Sequence, residues 1–368
     1  MAKIRDFVKR ELTGMIAFFA ALVSCFFVPP DRAYGDYIDL RTLALLYCLM
    51  VVVAGLRRAG GFAVLSDVLL RKAGNVRQIS LILVLLCFFS AMFVTNDVAL
   101  LTFVPFAVSV LGLAGQSRWL ILVVVLQTIA ANLGSMLTPV GNPQNLYLYS
   151  RYGLSMGDFL RVTAPFWLLS LGVCALLCLP IRREALTVDI GERPRVNRGK
   201  FRLYGLLFLL CLAVVLRLFD WPVLLGILVA VLLVFDRKIL LSADFMLLLT
   251  FVCFFVFSGN LARIPAVNEL LRSLLTGREL LVSAAVSQII SNVPAALLLS
   301  GFTDNARALL LGVNVGGVGT PVASLASLIS LKLYSHAENA TPGRYMAVFL
   351  GLNFALLALL LGLALIFA

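Results

Sequence analysis

Long stretches of this chain carry almost no polar residues, and that limits its fold more than anything else in the sequence. Apolar runs cover 42–56, 79–94, 97–113, 119–137, 160–181 and 345–367, with shorter ones between them. They are apolar on all faces rather than alternating, which suits helices in lipid and not barrel strands. Apolar residues make up 62% of the chain and charged residues 13%, with a mean hydropathy of +1.04. Such a composition excludes a soluble enzyme, a disulfide scaffold and a disordered chain. The longest polar segment, Arg182 to Arg202, is too short for a separate domain. At roughly 20 apolar residues per span, the content allows up to about 11 spans of an all-α polytopic membrane protein.

The formal charge of +12 does not indicate nucleic acid, because the basic residues sit in loops between apolar runs. Membrane proteins gather Lys and Arg on the cytoplasmic side. The first run, 14–29, follows Lys3, Arg5, Lys9 and Arg10 and reads as an uncleaved first span. All seven cysteines lie in apolar runs without a CxxC pair, and His336 is the single histidine, so neither a transition-metal site nor another cofactor is expected.

Two apolar regions are interrupted in the same manner. Runs 79–94 and 97–113 are split by Thr95-Asn96-Asp97, and runs 279–290 and 294–302 by Ser291-Asn292-Val293-Pro294. Each pair reads as a re-entrant hairpin, since irregular backbone at membrane depth survives only where buried or lining a cavity. An amphipathic stretch precedes each hairpin, and a helix broken at Thr138-Pro139-Val140 or Thr320-Pro321-Val322 follows it. The organisation is therefore an N-terminal span and loop (1–41), a first repeat (42–181; tip 95–97, broken helix 119–149), a basic cytoplasmic linker (182–202) and a second repeat (203–368; tip 291–294, broken helix 308–334). With the N-terminus in the cytoplasm, five crossings separate the hairpins, so the second enters from the outside and the repeats are inverted. This topology puts 21 basic residues inside, including Arg57, Arg58, Arg71, Lys72 and Arg77, and 9 outside. The segment 259–278, with Arg263, Arg272 and Arg278, dissents, and an interfacial helix accommodates it.

The interruptions carry the chemistry. A helix stopping in mid-membrane exposes carbonyls, and the helix that restarts exposes N–H groups with a partial positive end. Asn96 and Asn292 can cap those ends or bind a cation, while an anion can rest on the N–H groups. Asp97, a carboxylate at a cost of about 2.5–3.5 kcal/mol or more at the bilayer centre, persists if paired, protonated or bound to a cation. It can carry a proton, help hold Na⁺, or cap the following helix. In the first broken helix, Gly134 and Gly141 permit close backbone approach, Pro139 and Pro143 free carbonyls, and Asn142, Gln144 and Asn145 add amides. The second broken helix offers Asn314, Gly316, Gly317, Gly319, Thr320, Pro321, Ser324 and Ser327. Hard cations take oxygen ligands of these kinds.

With its paired Asn tips, Thr-Pro-Val-Gly-Asn-Pro-Gln-Asn and Gly-Val-Asn-Val-Gly, the chain resembles the ion transporter superfamily of divalent-anion/Na⁺ symporters, arsenical permeases and citrate transporters over roughly 42–367. The resemblance implies a first cation site at Thr95, Asn96 and Gly141 and a second at Ser291, Asn292 and Gly319. It implies that both tips, with Thr138, Pro139, Thr320 and Pro321, face the substrate, and that the protein is a homodimer; Asn142 joins the substrate-facing set as an amide of the same break. The tips depart from the Ser-Asn-Thr of carboxylate transporters: they read Thr-Asn-Asp and Ser-Asn-Val. No hydroxyl follows either Asn, and Asp97 adds negative charge, which weighs against dicarboxylates and towards proton coupling.

The expectation is a multi-pass inner-membrane secondary transporter of a small inorganic or carboxylate anion, coupled to H⁺ or Na⁺ by alternating access. The alternatives are a cation/proton antiporter using Asp97 and a non-transporting membrane scaffold. An enzyme is not expected, because no nucleophile, base or metal-ligand cluster gathers at one membrane face.

Overall fold

A computed structural model describes residues 12–71, 73–185, 195–338 and 340–367. Lys3, Arg5, Lys9, Arg10, Lys72 and residues 186–194 of the basic linker lie outside this set. The described residues are almost wholly helical. In chain order the helices begin with α1 (Leu12–Phe27), α2 (Leu40–Arg58) and the short α3 (Gly61–Leu70). A long helix pair, α4 (Val76–Val94) and α5 (Asn96–Leu113), comes next, then α6 (Leu120–Gly134), α7 (Pro143–Arg151) and α8 (Met156–Leu177). After the linker come α9 (Arg198–Val215), α10 (Trp221–Phe235), α11 (Phe245–Arg263) and α12 (Pro265–Leu275). A shorter pair, α13 (Glu279–Ile290) and α14 (Asn292–Leu299), leads to α15 (Ala306–Val315), α16 (Leu325–Ser335) and α17 (Pro342–Phe367). Among the described residues, 7 helices are long and apolar enough to cross a membrane. Large side chains such as Phe26, Val234 and Ile366 point outward, as lipid-facing helices require.

The two pairs are unequal. With 19 and 18 residues, α4 and α5 each run about 27–28 Å at 1.5 Å per residue. With 12 and 8 residues, α13 and α14 are too short to cross a hydrocarbon core of about 30 Å. Pro105 inside α5 has no N–H for the Leu101 carbonyl one turn earlier, and the Arg57 guanidinium at the end of α2 donates to that carbonyl at 3.4 Å.

Hydrogen bonds at the helix ends show where each pair is rooted. Val76 N–H donates to the Glu184 carbonyl at 3.0 Å, and Gln116 Nε2 to the Glu184 carboxylate at 2.8 Å; Arg118 pairs with the same carboxylate. Both feet of the α4–α5 pair therefore meet the chain just beyond α8. Tyr152 Oη donates to the Thr303 carbonyl at 2.8 Å, Thr303 Oγ1 to Glu279 at 3.4 Å, and Arg307 lies 3.8 Å from Asp158. Both feet of the α13–α14 pair therefore meet the chain just before α8. The 22 residues of α8 separate these points by about 33 Å. The two pairs enter the molecule from opposite ends.

Packing divides into two apolar clusters. One joins α4, α5 and α6 to α16 and α17; the other joins α1, α2, α9, α10 and α11 to α7, α14 and α15. The first broken helix puts α6 in one cluster and α7 in the other; in the second, α16 belongs to the first cluster while α15 has Leu309, Leu310 and Val313 in one and Leu311 and Val315 in the other, so both breaks lie along the seam. The segment Ser117–Leu137 is the most enclosed, 83% buried against 22% for α8.

Candidate functional site

The tips are tighter than the sequence suggests. The chain reverses at one residue in each pair, Thr95 (φ 72°, ψ 153°) and Ser291 (φ 75°, ψ 154°). These are two of the three non-glycine residues with positive φ among the described residues, a conformation that β-branched Thr seldom adopts. Asn96 and Asn292 already belong to the helices that follow, so Asp97 lies inside the first turn of α5 rather than capping it.

The breaks share corresponding bonds. Thr138 Oγ1 donates to the Met92 carbonyl, and Thr320 Oγ1 to the Gln288 carbonyl at 2.8 Å; both acceptors lie three residues before a tip. Asn132 Nδ2 donates to Ser327 Oγ at 3.4 Å, and Asn314 Nδ2 to Asn145 Oδ1 at 2.7 Å. Asn132 and Asn314 are 182 positions apart, as are Asn145 and Ser327, and Thr138 and Thr320. Each broken helix thus reaches across the seam to the other with the corresponding residue. A Cβ on Gly134 would lie 2.1 Å from the Phe88 carbonyl oxygen, and one on Gly316 2.8 Å from Ala284 Cα. Both glycines let a break press against the first helix of its pair.

The first tip joins this network. Asn96 Nδ2 donates to Asn132 Oδ1 at 2.9 Å and contacts Ser324 Oγ at 3.4 Å, and Ser324 Oγ donates to Asn132 Oδ1 at 2.9 Å. Asn96 Oδ1 accepts from the Asp97 N–H at 2.9 Å. Asn142 Nδ2 donates to Ser135 Oγ, and Gly141 presses its Cα face on the Ser135 carbonyl. Pro139 opens a short helical turn in which the Gly141 N–H donates to Thr138 Oγ1 at 3.1 Å. At the second tip the Asn292 N–H donates to the Ala323 carbonyl at 3.0 Å, and Ser291 Oγ to the same oxygen at 3.3 Å. Pro321 follows Thr320, whose N–H donates to Gln288 Oε1 at 2.8 Å. Gln288 Nε2 donates to the Gly316 and Val318 carbonyls at 2.8 and 3.1 Å, and Gly319 (φ 122°) lies against its Oε1. Gln288 therefore uses carbonyls of the second break that a cation at Gly319 would need.

Helix starts at capping residue types fall into two groups by location, with one exception: Asp220 begins α10 away from the seam and makes no cap bond. Asp39, Asn75, Ser155, Asn197, Asp244 and Asn305 begin helices away from the seam, and each side chain accepts from the backbone of its helix. Thr95, Asn142, Ser291 and Ser324 begin α5, α7, α14 and α16 at the seam. All four are capping residue types, yet none caps its helix. The side chains of Asn142, Ser291 and Ser324 are committed elsewhere in the network. Four helix N-termini thus converge on the seam without a bond from their own cap residue; Asn96 Oδ1 takes the Asp97 N–H and the Ala323 carbonyl takes the Asn292 N–H, and the remaining first-turn N–H groups are of the kind that receives an anion or polar ligand.

The charge inventory is one-sided. No Lys, Arg or His occurs in 90–104, 128–146, 284–300 or 308–331, and Asp97 is the only acid there. Asp97 Oδ1 is buried without a hydrogen-bond partner among the described residues. Among the residues missing from the sequence expectation, Asn132 and Gln288 hold the network together. The spacing of 182 points to Asn132 as the counterpart of Asn314. Gln288 had no such signal, because Met92 stands at the corresponding place before the first tip.

A family model described as citrate transporter matches residues 3–308. The chain is 31% identical over 317 residues to the inner membrane protein YbiR of Escherichia coli, covering 84% of each. It is 31% identical over 315 residues to the uncharacterized transporter MJ0456 of Methanocaldococcus jannaschii, covering 84% of this chain and 85% of that one. It is 35% identical over 175 residues to the silicon efflux transporter LSI3 of Oryza sativa subsp. japonica, covering 47% of this chain and 35% of that one.

Proposed function

The chain belongs to the citrate transporter family and is a multi-pass membrane transporter, not an enzyme; on that footing we propose that it moves a small oxyanion or carboxylate by alternating access, coupled to H⁺ or Na⁺. One observation carries this reading: four helix N-termini meet at the seam, and none is capped by the side chain of its own cap residue. Partial positive ends are the anion-binding charge available there, since basic side chains are missing from the tips and breaks. Substrate sits among Asn96, Thr138, Pro139, Asn142, Asn292, Thr320 and Pro321. The cation sits at the first tip, on Thr95, Asn96, Asp97 and Gly141. Ser291, Asn292 and Gly319 form the weaker second candidate, because Gln288 already uses the neighbouring carbonyls.

The repeats at 42–181 and 203–368 are inverted, with the N-terminus and the 182–202 linker cytoplasmic. The opposite entry of the two pairs, rooted at Glu184 and at Thr303, supports that arrangement. Transport then alternates as the cluster of α4–α6, α16 and α17 moves against the other along the seam. Two copies in the membrane would give one cluster a fixed partner to move against. A site of low positive charge favours a substrate of low net charge. A near-neutral oxyacid such as that of silicon, the element in the plant relative's name, is the first ligand to try, with citrate, from the family description, as the multiply charged comparison. A second reading, cation/proton exchange, is favoured by the unpartnered Asp97 Oδ1.

The test is thermal stability of the protein in liposomes with small anions, with and without Na⁺, at about pH 5.5 and about pH 8. A ligand that binds only the folded state raises stability by mass action. An anion that stabilises only with Na⁺ supports sodium symport. Stabilisation that follows pH, ignores Na⁺ and disappears in Asp97→Asn makes Asp97 the proton site. If no anion stabilises while cations do, exchange replaces the anion reading.

A further inference from the structure

We propose that Gln144 forms a donor–acceptor subsite at the start of α7 that reads an O–H group on the substrate. The proposal rests on the transport reading above and adds the chemical class of ligand. Gln144 is fully buried, and neither Oε1 nor Nε2 has a hydrogen-bond partner among the described residues. Native proteins seldom leave both ends of a buried primary amide unpaired. Other amides near it are engaged: Asn142 with Ser135, and Asn145 with Asn314 and the Ser135 carbonyl.

Its position is defined by its own helix. Residues three and four apart share a helix face, so Gln144 lies one turn before Tyr147 and Leu148. The Tyr147 ring packs on Phe251 and Phe255 of α11 at 6.5 and 5.5 Å between centroids, and its hydroxyl meets Ser300 Oγ at 2.8 Å. Gln144 therefore lies on the α11-facing side of α7, one turn nearer the break, beside a helix start that no side chain caps. The matching position in the second repeat is Ala326, 182 residues on, which is fully buried in an apolar cluster. The same place in the fold thus accepts an apolar residue, and the amide is not a requirement of packing.

A primary amide presents a donor group, its NH2, and an acceptor oxygen side by side. An ionised carboxylate only accepts, so it satisfies Nε2 and leaves Oε1 unpaired. A group with an O–H beside an acceptor oxygen satisfies both. The ligand is thus bound with at least one O–H, as a hydroxy acid, a singly protonated acid or a neutral oxyacid.

The test compares the full-length wild type with Gln144→Met. It uses citrate, tricarballylate (the same carboxylates without the hydroxyl) and orthosilicic acid as probes at about pH 8, where the carboxyls are ionised and tricarballylate offers no O–H. Sites that bond a hydroxyl discriminate strongly against analogues lacking it. The wild type should bind citrate or orthosilicic acid at least about tenfold more tightly than tricarballylate. Gln144→Met should bring that ratio to about one, with the ligand-free melting temperature unchanged or higher. A ratio that survives the substitution overturns the proposal, as does a ligand-free melting temperature lower by more than about 5 °C, which makes the amide structural. A wild type that binds these probes without preferring hydroxyls overturns the proposal and leaves the transport reading standing. A wild type that binds none of them, and behaves like Asn96→Ala with every anion, overturns both.

Discussion

Gly134→Ala isolates the close contact that builds the site. Gly134 has φ −64° and ψ −42°, which alanine adopts without strain, and in an open helix the change would gain about 0.5–1 kcal/mol. Here the new methyl would sit 2.1 Å from the Phe88 carbonyl oxygen and 2.8 Å from Phe88 C and Cα. These are backbone atoms of α4 and cannot rotate away. Reaching an ordinary contact of about 3.4 Å requires α4 and the break to part by roughly 1 Å, and overpacking of this kind costs about 1–3 kcal/mol. The same movement strains the Trp167 Nε1 bond to the Gly134 carbonyl, 3.1 Å long, and the Thr138 bond to Met92. A melting temperature lower by several degrees is expected, together with a loss of transport larger than the loss of folded protein. The assay is thermal unfolding beside uptake into proteoliposomes. Gly172→Ala is the control: nothing lies within 4 Å of its Cβ position, and it should be neutral or slightly stabilising. A Gly134→Ala protein that melts at or above the wild type would refute the reasoning.

Asn96→Ala and Asn292→Ala should each abolish uptake while insertion and yield persist; retained uptake in either removes that tip from the site. Asn145→Ala and Asn314→Ala should be non-additive, with a coupling of about 0.5–3 kcal/mol in a double-mutant cycle on unfolding, because their 2.7 Å bond crosses the seam. Gln116 and Arg118 hold the Glu184 carboxyl below the usual glutamate range, so its contribution is present above the ordinary value of about 4.3 and lost as pH falls through the lower folded value. Hydrogen exchange at 111–118 should therefore accelerate in that acidic window in the wild type, and Glu184→Gln should remove the pH dependence there.

Much of the organisation was legible because membrane folding writes it into local composition. Lipid cannot satisfy backbone groups, so apolar helices and their polar interruptions are visible one segment at a time. Asn96, Asn292, Thr138 and Thr320 were therefore recognisable from local pattern and from their recurrence. The boundaries differ in detail: the tips expected over 95–97 and 291–294 contract to Thr95 and Ser291, since a single residue with positive φ and extended ψ reverses the chain. The run lengths, 79–94 and 97–113 against 279–290 and 294–302, already separate a longer pair from a shorter one.

What the sequence determined by itself is an all-α membrane chain with two interrupted regions of similar pattern, because hydropathy and helix breaking act over a few neighbouring residues. Only the tertiary structure decided which polar groups meet. Asn132 with Ser327, Asn314 with Asn145, and Asn96 with both Asn132 and Ser324 are contacts between residues as far as 228 positions apart. Hydrogen bonds need distances near 3 Å and fixed directions, and such geometry between distant segments arises only when the two clusters close on each other. The same closure leaves the Gln144 amide and Asp97 Oδ1 without hydrogen-bond partners among the described residues, a property of the packed whole that no single segment contains.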